Sequence, residues 1–191
     1  AKSPHVVQIL DFGVTEFGWP FIAMEFLEGE DLGKRLARDK RISPLVYADW
    51  LIQACKGLTR IHASGIVHRD IKPENIFLSN VDGEVFVKLL DFGIAKADSL
   101  HGMMGGTHTQ AFIGTVHYMS PEQTMGAKLV DHRTDLWALG VVTYRALTGV
   151  RPFDGEAIGV LIESIRSLPI APPTAHLPEL GPPIDAWMQR A

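Results

Sequence analysis

The chain has 191 residues, 46% of them hydrophobic and 21% charged, which fits one soluble globular unit with enough apolar mass for a core. A formal net charge of −4 without a long Lys/Arg run gives no nucleic-acid signature. The longest strongly apolar run, LWALGVV at 136–142, is far too short to span a bilayer, and the single cysteine excludes an internal disulfide framework and suits a reducing compartment.

In chain order, HVVQILDFGV reads as a strand punctuated by Gly13, FGWP as a turn, and FIAMEFLEG as a second strand, together a hairpin. A first Asp-Phe-Gly, Asp11 to Gly13, falls near the hairpin connection and reads as turn residues beside a buried Phe. GEDLGKRLARDKR reads as a short surface helix. ISPLVYADWLIQACKGLTRIHASG is a stronger helix, with Ser43 as cap, Pro44 at the first position, Leu51, Cys55, Leu58 and Ile61 or His62 at helical spacing, and Gly65 at its end. Cys55 reads as a small buried apolar residue in that pattern. IVHRDIKPENIFL, with polar residues between apolar ones and a central proline, reads as a loop that displays side chains, and VFVKLLDFGIAK as a strand running into a second Asp-Phe-Gly. DSLHGMMGGTHTQ (98–110) has the composition of a mobile loop; its histidines and methionines are better read as loop residues than as a soft-metal site. DLWALGVVTYRALTG (135–149) is apolar nearly all round and belongs at the centre of a domain, with Asp135 as its cap. RSLPIAPPTAHLPELGPP is proline-rich and reads as a long irregular surface connection.

The chemistry concentrates in HRDIKPEN. Asp70, Lys72 and Asn75 stand at i, i+2 and i+5 in a loop between an apolar helix and an apolar strand. Phosphoryl transfer requires a carboxylate near the attacking hydroxyl, a cation near the transferred phosphate, and oxygen ligands for magnesium. Asp70, Lys72, Asn75 and Asp91 supply that set in that order, and an Asn carbonyl with an Asp carboxylate suits a hard cation.

HRDIKPEN, then DFG, then GTVHYMSPE and DLWALG, resembles the eukaryotic-type protein kinase catalytic domain over essentially the whole chain, and GTVHYMSPEQ looks most like the bacterial serine/threonine kinases of that family. The resemblance implies an α+β, protein-kinase-like fold: mostly the helical C-terminal lobe (28–191), with a β-hairpin and hinge (1–27) left from the N-terminal lobe. It implies transfer of the ATP γ-phosphate to Ser/Thr hydroxyls of protein substrates, with Mg2+ as the metal, in the cytoplasm or on the cytoplasmic side of a tethered protein. Nothing points to nucleic acid, and no membrane segment is expected.

The same resemblance carries roles onto single positions. Asp70 would orient the substrate hydroxyl and accept its proton, Lys72 would steady the γ-phosphate, and Asn75 and Asp91 would hold magnesium. Met24 falls at the gatekeeper position; Glu25, Phe26 and Leu27 would form the hinge beside adenine, Asp31 could reach the ribose, and Phe77 would lie under the adenine ring. Arg69 would meet a phosphate on the activation loop, for which Thr107 and Thr109 are the candidate acceptors, and His68 with Phe92 would belong to a packed spine. Thr115 resembles the threonine that bridges Asp70 and Lys72 in serine/threonine kinases, and Lys72 itself fits that substrate class. For Asp135 the family adds a brace on the catalytic-loop backbone. Asp11 matches no functional position.

No GxGxxG occurs, and the strand lysine and helix glutamate of the family are expected upstream of residue 1. The chain does not open with Met or a signal peptide, and both of its ends are expected to be cuts within a longer, incomplete domain. This leaves a second reading, a non-catalytic binding module built on the large lobe, against which the intact Asp70, Lys72, Asn75 and Asp91 stand. A small-molecule phosphotransferase is disfavoured by Lys72, Pro73 and the GTVHYMSPE segment.

Overall fold

The computed structural model describes residues 3–91, 114–126, 130–155, 157–167 and 169–190. Phe92, Thr107, Thr109 and the Gly-rich 98–110 stretch lie outside the described residues. Among the described residues the architecture is α+β: a two-stranded sheet and a three-stranded sheet, with helices that carry most of the core.

The expected hairpin is present. Strand β1 (Ile9–Val14) pairs antiparallel with β2 (Pro20–Met24), and the turn is closed by Gly18 N–H to Thr15 O at 2.9 Å. The first Asp-Phe-Gly is not at the turn and its Phe is not buried. Asp11, Phe12 and Gly13 sit inside β1 opposite Ala23, Ile22 and Phe21, and Phe12 is 77% exposed. A two-stranded sheet buries apolar side chains only where another layer covers it, and Leu10, Phe12, Val14, Trp19 and Ile22 all remain exposed.

The second sheet runs β3 (Gly29–Asp31), β4 (Ile76–Val81), β5 (Glu84–Leu89), all antiparallel. Asp82 and Gly83 join β4 to β5 with φ of 53° and 88°, the two left-handed residues that a type I′ turn requires. Sequence reasoning ran IFL into the preceding loop; the Asp-Gly pair between apolar runs was the signal for this hairpin. Asp31 then caps α1 (Leu32–Asp39), accepting from Lys34 N–H at 2.9 Å, and Leu32 and Leu36 turn the inner face of that helix into the core.

Helix α2 (Pro44–His62) starts at the expected proline, although Ser43 makes no side-chain cap bond. Its buried stripe is Tyr47, Trp50, Ala54, Gly57, Leu58 and Ile61. Cys55 lies one residue off that stripe and is exposed, contrary to its expected burial. Gly57 is where α2 meets β5: a Cβ there would fall 2.9 Å from a Leu89 methyl and 2.8 Å from the His5 carbonyl. Each fully buried Leu or Ile of this layer, such as Leu58 or Ile61, contributes roughly 1.5–3 kcal/mol.

Helix α4 (Arg133–Thr148) occupies the centre as its composition predicts, with Val142 and Ala146 fully buried and Gly149 ending it in the left-handed conformation. The short helix α3 (Pro121–Met125) precedes it, and α5 (Ile158–Ser167) and α6 (Pro182–Met188) follow. The proline-rich stretch is more ordered than a surface connection. It forms 3-10 turns at Pro173–Ala175 and Pro178–Leu180 and buries Pro173 and Leu177, because a proline's fixed φ suits the first position of such a turn.

Candidate active site

The loop after α2 is held from below by one carboxylate. Asp135, in the first turn of α4 and 1% exposed, accepts from His68 N–H at 2.9 Å, Arg69 N–H at 2.8 Å and His62 Nε2 at 2.7 Å. It does not cap α4, whose cap residue is His132; the brace on the loop backbone is its observed contact. Arg69 has a left-handed backbone, φ 64°, unusual for a side chain that size. The bond to Asp135 fixes its N–H, and Gln123 Nε2 fixes its carbonyl at 3.0 Å. Gln123 is in turn locked by the capping box it makes with Ser120 at the start of α3. Sequence reasoning passed over Gln123; the Ser-x-x-Gln spacing of SPEQ was the available signal.

His68 is fully buried, and its ring bridges two backbones. Nε2 donates to the Leu90 carbonyl at 2.7 Å, while Nδ1 accepts from Asp70 N–H at 3.3 Å. Burial holds its pKa below the usual histidine value, outweighing the pull of Asp135, the Leu90 carbonyl and Asp70 toward the charged form. The folded ring therefore binds a proton less readily than the unfolded one, whose pKa is about 6.5. Its contribution is complete above that value and is lost as the pH falls below it. Thermal unfolding between pH 7.5 and pH 5 is expected to show a steeper acid loss in the natural sequence than in His68→Phe. Equal slopes would remove His68 from the acid response.

Above the brace, four of the expected residues meet. Asp70 is 8% exposed, and its Oδ2 accepts from Asn75 Nδ2 at 2.9 Å and from Lys72 Nζ at 3.2 Å. Asn75 Nδ2 also donates to the Asp70 carbonyl at 2.8 Å. Lys72 Nζ reaches Thr115 Oγ1 at 3.2 Å, which ties the 114–119 segment to the loop. The 3-10 turn Pro73–Asn75 swings Asn75 back beneath Asp70, and Leu90 N–H to Asn75 O at 2.9 Å sets Asp91 next to it in the structure. Asp91 is exposed, and its backbone is left-handed at φ 45°.

Two residues past Asn75, Phe77 of β4 pairs with Asp31 of β3, so the expected ribose and adenine residues are neighbours. The Asp31 carboxylate serves the α1 cap and an ion pair with Lys34 at 3.2 Å. Met24 ends β2, Glu25 to Leu27 lead from it toward β3, and Phe26 is 88% exposed. Glu25 is anchored by Lys88 Nζ at 2.7 Å and Gln8 N–H at 2.8 Å; although burial opposes its charge, these bonds hold its carboxyl below the usual range.

The protein kinase domain family matches residues 1–174 of the chain. The chain belongs to that family. It is 39% identical over its full length to the serine/threonine-protein kinase pkn3 of Myxococcus xanthus and covers 35% of that protein. It is 40% identical over 98% of its length to Pkn1 of the same organism, covering 26% of it. It is 38% identical over its full length to PknB of Mycobacterium tuberculosis, covering 30% of it. The chain thus spans about a third or less of the curated relatives it matches.

In a protein kinase domain, ATP and a divalent metal are the working ligands, and the donor set fits a hard cation. Both hydrogen-bond donations from Asn75 Nδ2 go to Asp70, which leaves the Asn75 amide oxygen as an acceptor, and the exposed Asp91 follows Leu90, whose N–H bonds the Asn75 carbonyl. No cluster of three or more His, Cys, Asp or Glu able to hold a metal occurs among the described residues. Two oxygen donors suffice when phosphate oxygens and water complete the shell. Among the described residues, no helix is long and apolar enough to cross a membrane.

Proposed function

We propose that this chain carries the catalytic loop of an ATP-dependent protein serine/threonine kinase, active in the cytoplasm where ATP is available. The observation that supports it most is the joining of Asp70 to Lys72 and Asn75, and of Lys72 to Thr115, in one contiguous set of contacts. In this reading Asp70 receives the proton of the acceptor hydroxyl and aims its oxygen for attack. Lys72 follows the transferred phosphate and, through Thr115, links it to the segment that seats the acceptor. Asn75 and Asp91 hold Mg2+, which when bound supplies charge neutralisation for the phosphate oxygens. Met24 to Leu27, Asp31 and Phe77 border the nucleotide.

The test is transfer from labelled ATP by the natural protein, followed by phosphoamino-acid analysis. Phosphoserine and phosphothreonine are expected. Phosphotyrosine would sink the substrate class, and transfer that persists in Asp70→Ala would sink the site.

Regulation by phosphorylation belongs to the same reading. Arg69 is exposed directly beside Asp70, and a phosphate brings about −1.5 to −2 charge to a partner of that kind. Autophosphorylation at Thr107, Thr109 or both is expected. Phosphopeptide mapping of active protein that finds neither modified, or full activity in the double alanine variant, would oppose it.

A further inference from the structure

We propose that His117, with Arg151 and Asp154, is a positioning device for the protein acceptor; this rests on the kinase reading above and deepens it. His117 has no part in the catalytic set, yet it is a polar side chain only 4% exposed. A buried polar group is retained at a cost unless it is bonded, so its partners indicate what it holds. Nε2 lies 3.2 Å from Arg151 Nη1 and 3.3 Å from Asp154 Oδ1. Both partners stand on the loop that leaves α4. That loop has a firm footing, because Phe153 between them is buried and stacks on Trp137 of α4 with ring centroids 5.8 Å apart and planes 8° apart.

His117 also belongs to the segment that Lys72 grips. Thr115 is two residues away, and the intervening backbone is a tight turn, with Tyr118 N–H to Thr115 O and Met119 N–H to Val116 O both at 3.1 Å. The phenol of Tyr118 is bonded by Arg145 of α4. The turn is therefore clamped at one end by Lys72 and at the other by α4 and its exit loop. With the Lys72 clamp on Thr115 intact, releasing His117 loosens only the far side of the turn and leaves the contacts among Asp70, Lys72, Asn75 and Thr115 in place. The consequence is weaker seating of the acceptor rather than slower chemistry.

The geometry also sets which substitute can serve. The single ring nitrogen Nε2 either accepts from Arg151 or donates to Asp154 at any one moment; a glutamine offers an amide oxygen for the first bond and an amide N–H for the second, whereas alanine offers neither. In the natural protein, His117→Ala is expected to raise KM for a Ser/Thr protein acceptor about tenfold, the size of one lost charge-assisted hydrogen bond. kcat at saturating acceptor and KM for ATP should stay within about threefold. His117→Gln is expected to restore KM, and Arg151→Ala, a change at an exposed residue that leaves folding intact, to raise it in the same direction. Arg151→Ala combined with His117→Ala should add little to either alone. A natural protein that transfers no phosphate would remove the kinase reading and this inference together. With an active natural protein, an unchanged acceptor KM in His117→Ala and Arg151→Ala, an equal change in both KM values and kcat, or failure of glutamine to restore in a protein with an unaltered melting temperature would overturn the inference alone.

Discussion

Asp70→Asn is expected to lower turnover by roughly 10²–10⁴-fold, the usual effect of losing a positioned general base, with nucleotide affinity held within about threefold. The side chain keeps its shape, and an amide oxygen at the same place still accepts from Lys72 Nζ or Asn75 Nδ2, whose present distances are 3.2 and 2.9 Å. The loop therefore stays folded around Asp135. What is lost is the ability to take a proton from the acceptor hydroxyl and the negative charge that aligns Lys72. Asp91→Ala provides the contrast, since it removes an oxygen proposed to hold the metal and should abolish metal-dependent nucleotide binding. Asp11→Ala, in the other Asp-Phe-Gly, should do neither, because Asp11 lies in an exposed hairpin opposite Ala23. Single-turnover kinetics with separate titration of the nucleotide distinguishes the three. A fall of less than tenfold for Asp70→Asn, or metal dependence altered by Asp11→Ala, would overturn the division of roles.

The meeting of Asp70, Lys72 and Asn75 was legible in the sequence because they are close in the chain. Asp70, Lys72 and Asn75 span six positions, so a loop of the right curvature brings them together, and the motif carried their order. The central helix was equally legible from an apolar composition nearly all round its sixteen residues, and α2 from apolar residues at helical spacing along its nineteen. Cys55 failed because a one-residue error in phase moves a side chain from core to solvent on a helix. Phe12 failed for a different reason: burial of a strand residue depends on the layer above it, which local pattern does not specify. The supporting contacts were illegible as well. Gln123 reaches the Arg69 carbonyl across fifty-four residues, and His117 meets Arg151 and Asp154 across more than thirty. No period or spacing encodes such meetings; they follow only once α3 and α4 are packed beside the loop.

Asp135→Ala is expected to be the most destabilising single change near the site. The carboxylate is 1% exposed and serves two backbone N–H groups of a loop whose Arg69 is already in a left-handed conformation. Truncation strands the His68 and Arg69 N–H groups and the His62 ring donor in the interior. Each buried donor left without an acceptor costs about 1–3 kcal/mol, so a loss of roughly 3–5 kcal/mol is expected, with the His62 ring partly recovering a water. For a domain of this size that corresponds to a fall in melting temperature of roughly 6–20 °C. Asp135→Asn should lie between, because one amide oxygen still accepts while the amide N–H₂ faces a donor. Asp131→Ala is the matched surface control. Its carboxylate pairs with Arg133 at 2.9 Å in the open, and the pairing holds its pKa down to about 2, but solvent and salt screen such a pair and little change in melting is expected. Activity should fall with Asp135→Ala even below the melting range, since an unbraced loop lets Arg69 relax from φ 64° and carries Asp70 with it. Thermal unfolding followed by circular dichroism, with phosphate transfer measured at 15 °C, separates the two effects. An Asp135→Ala protein that melts within about 2 °C of the natural one would show that the loop is held by something other than this carboxylate.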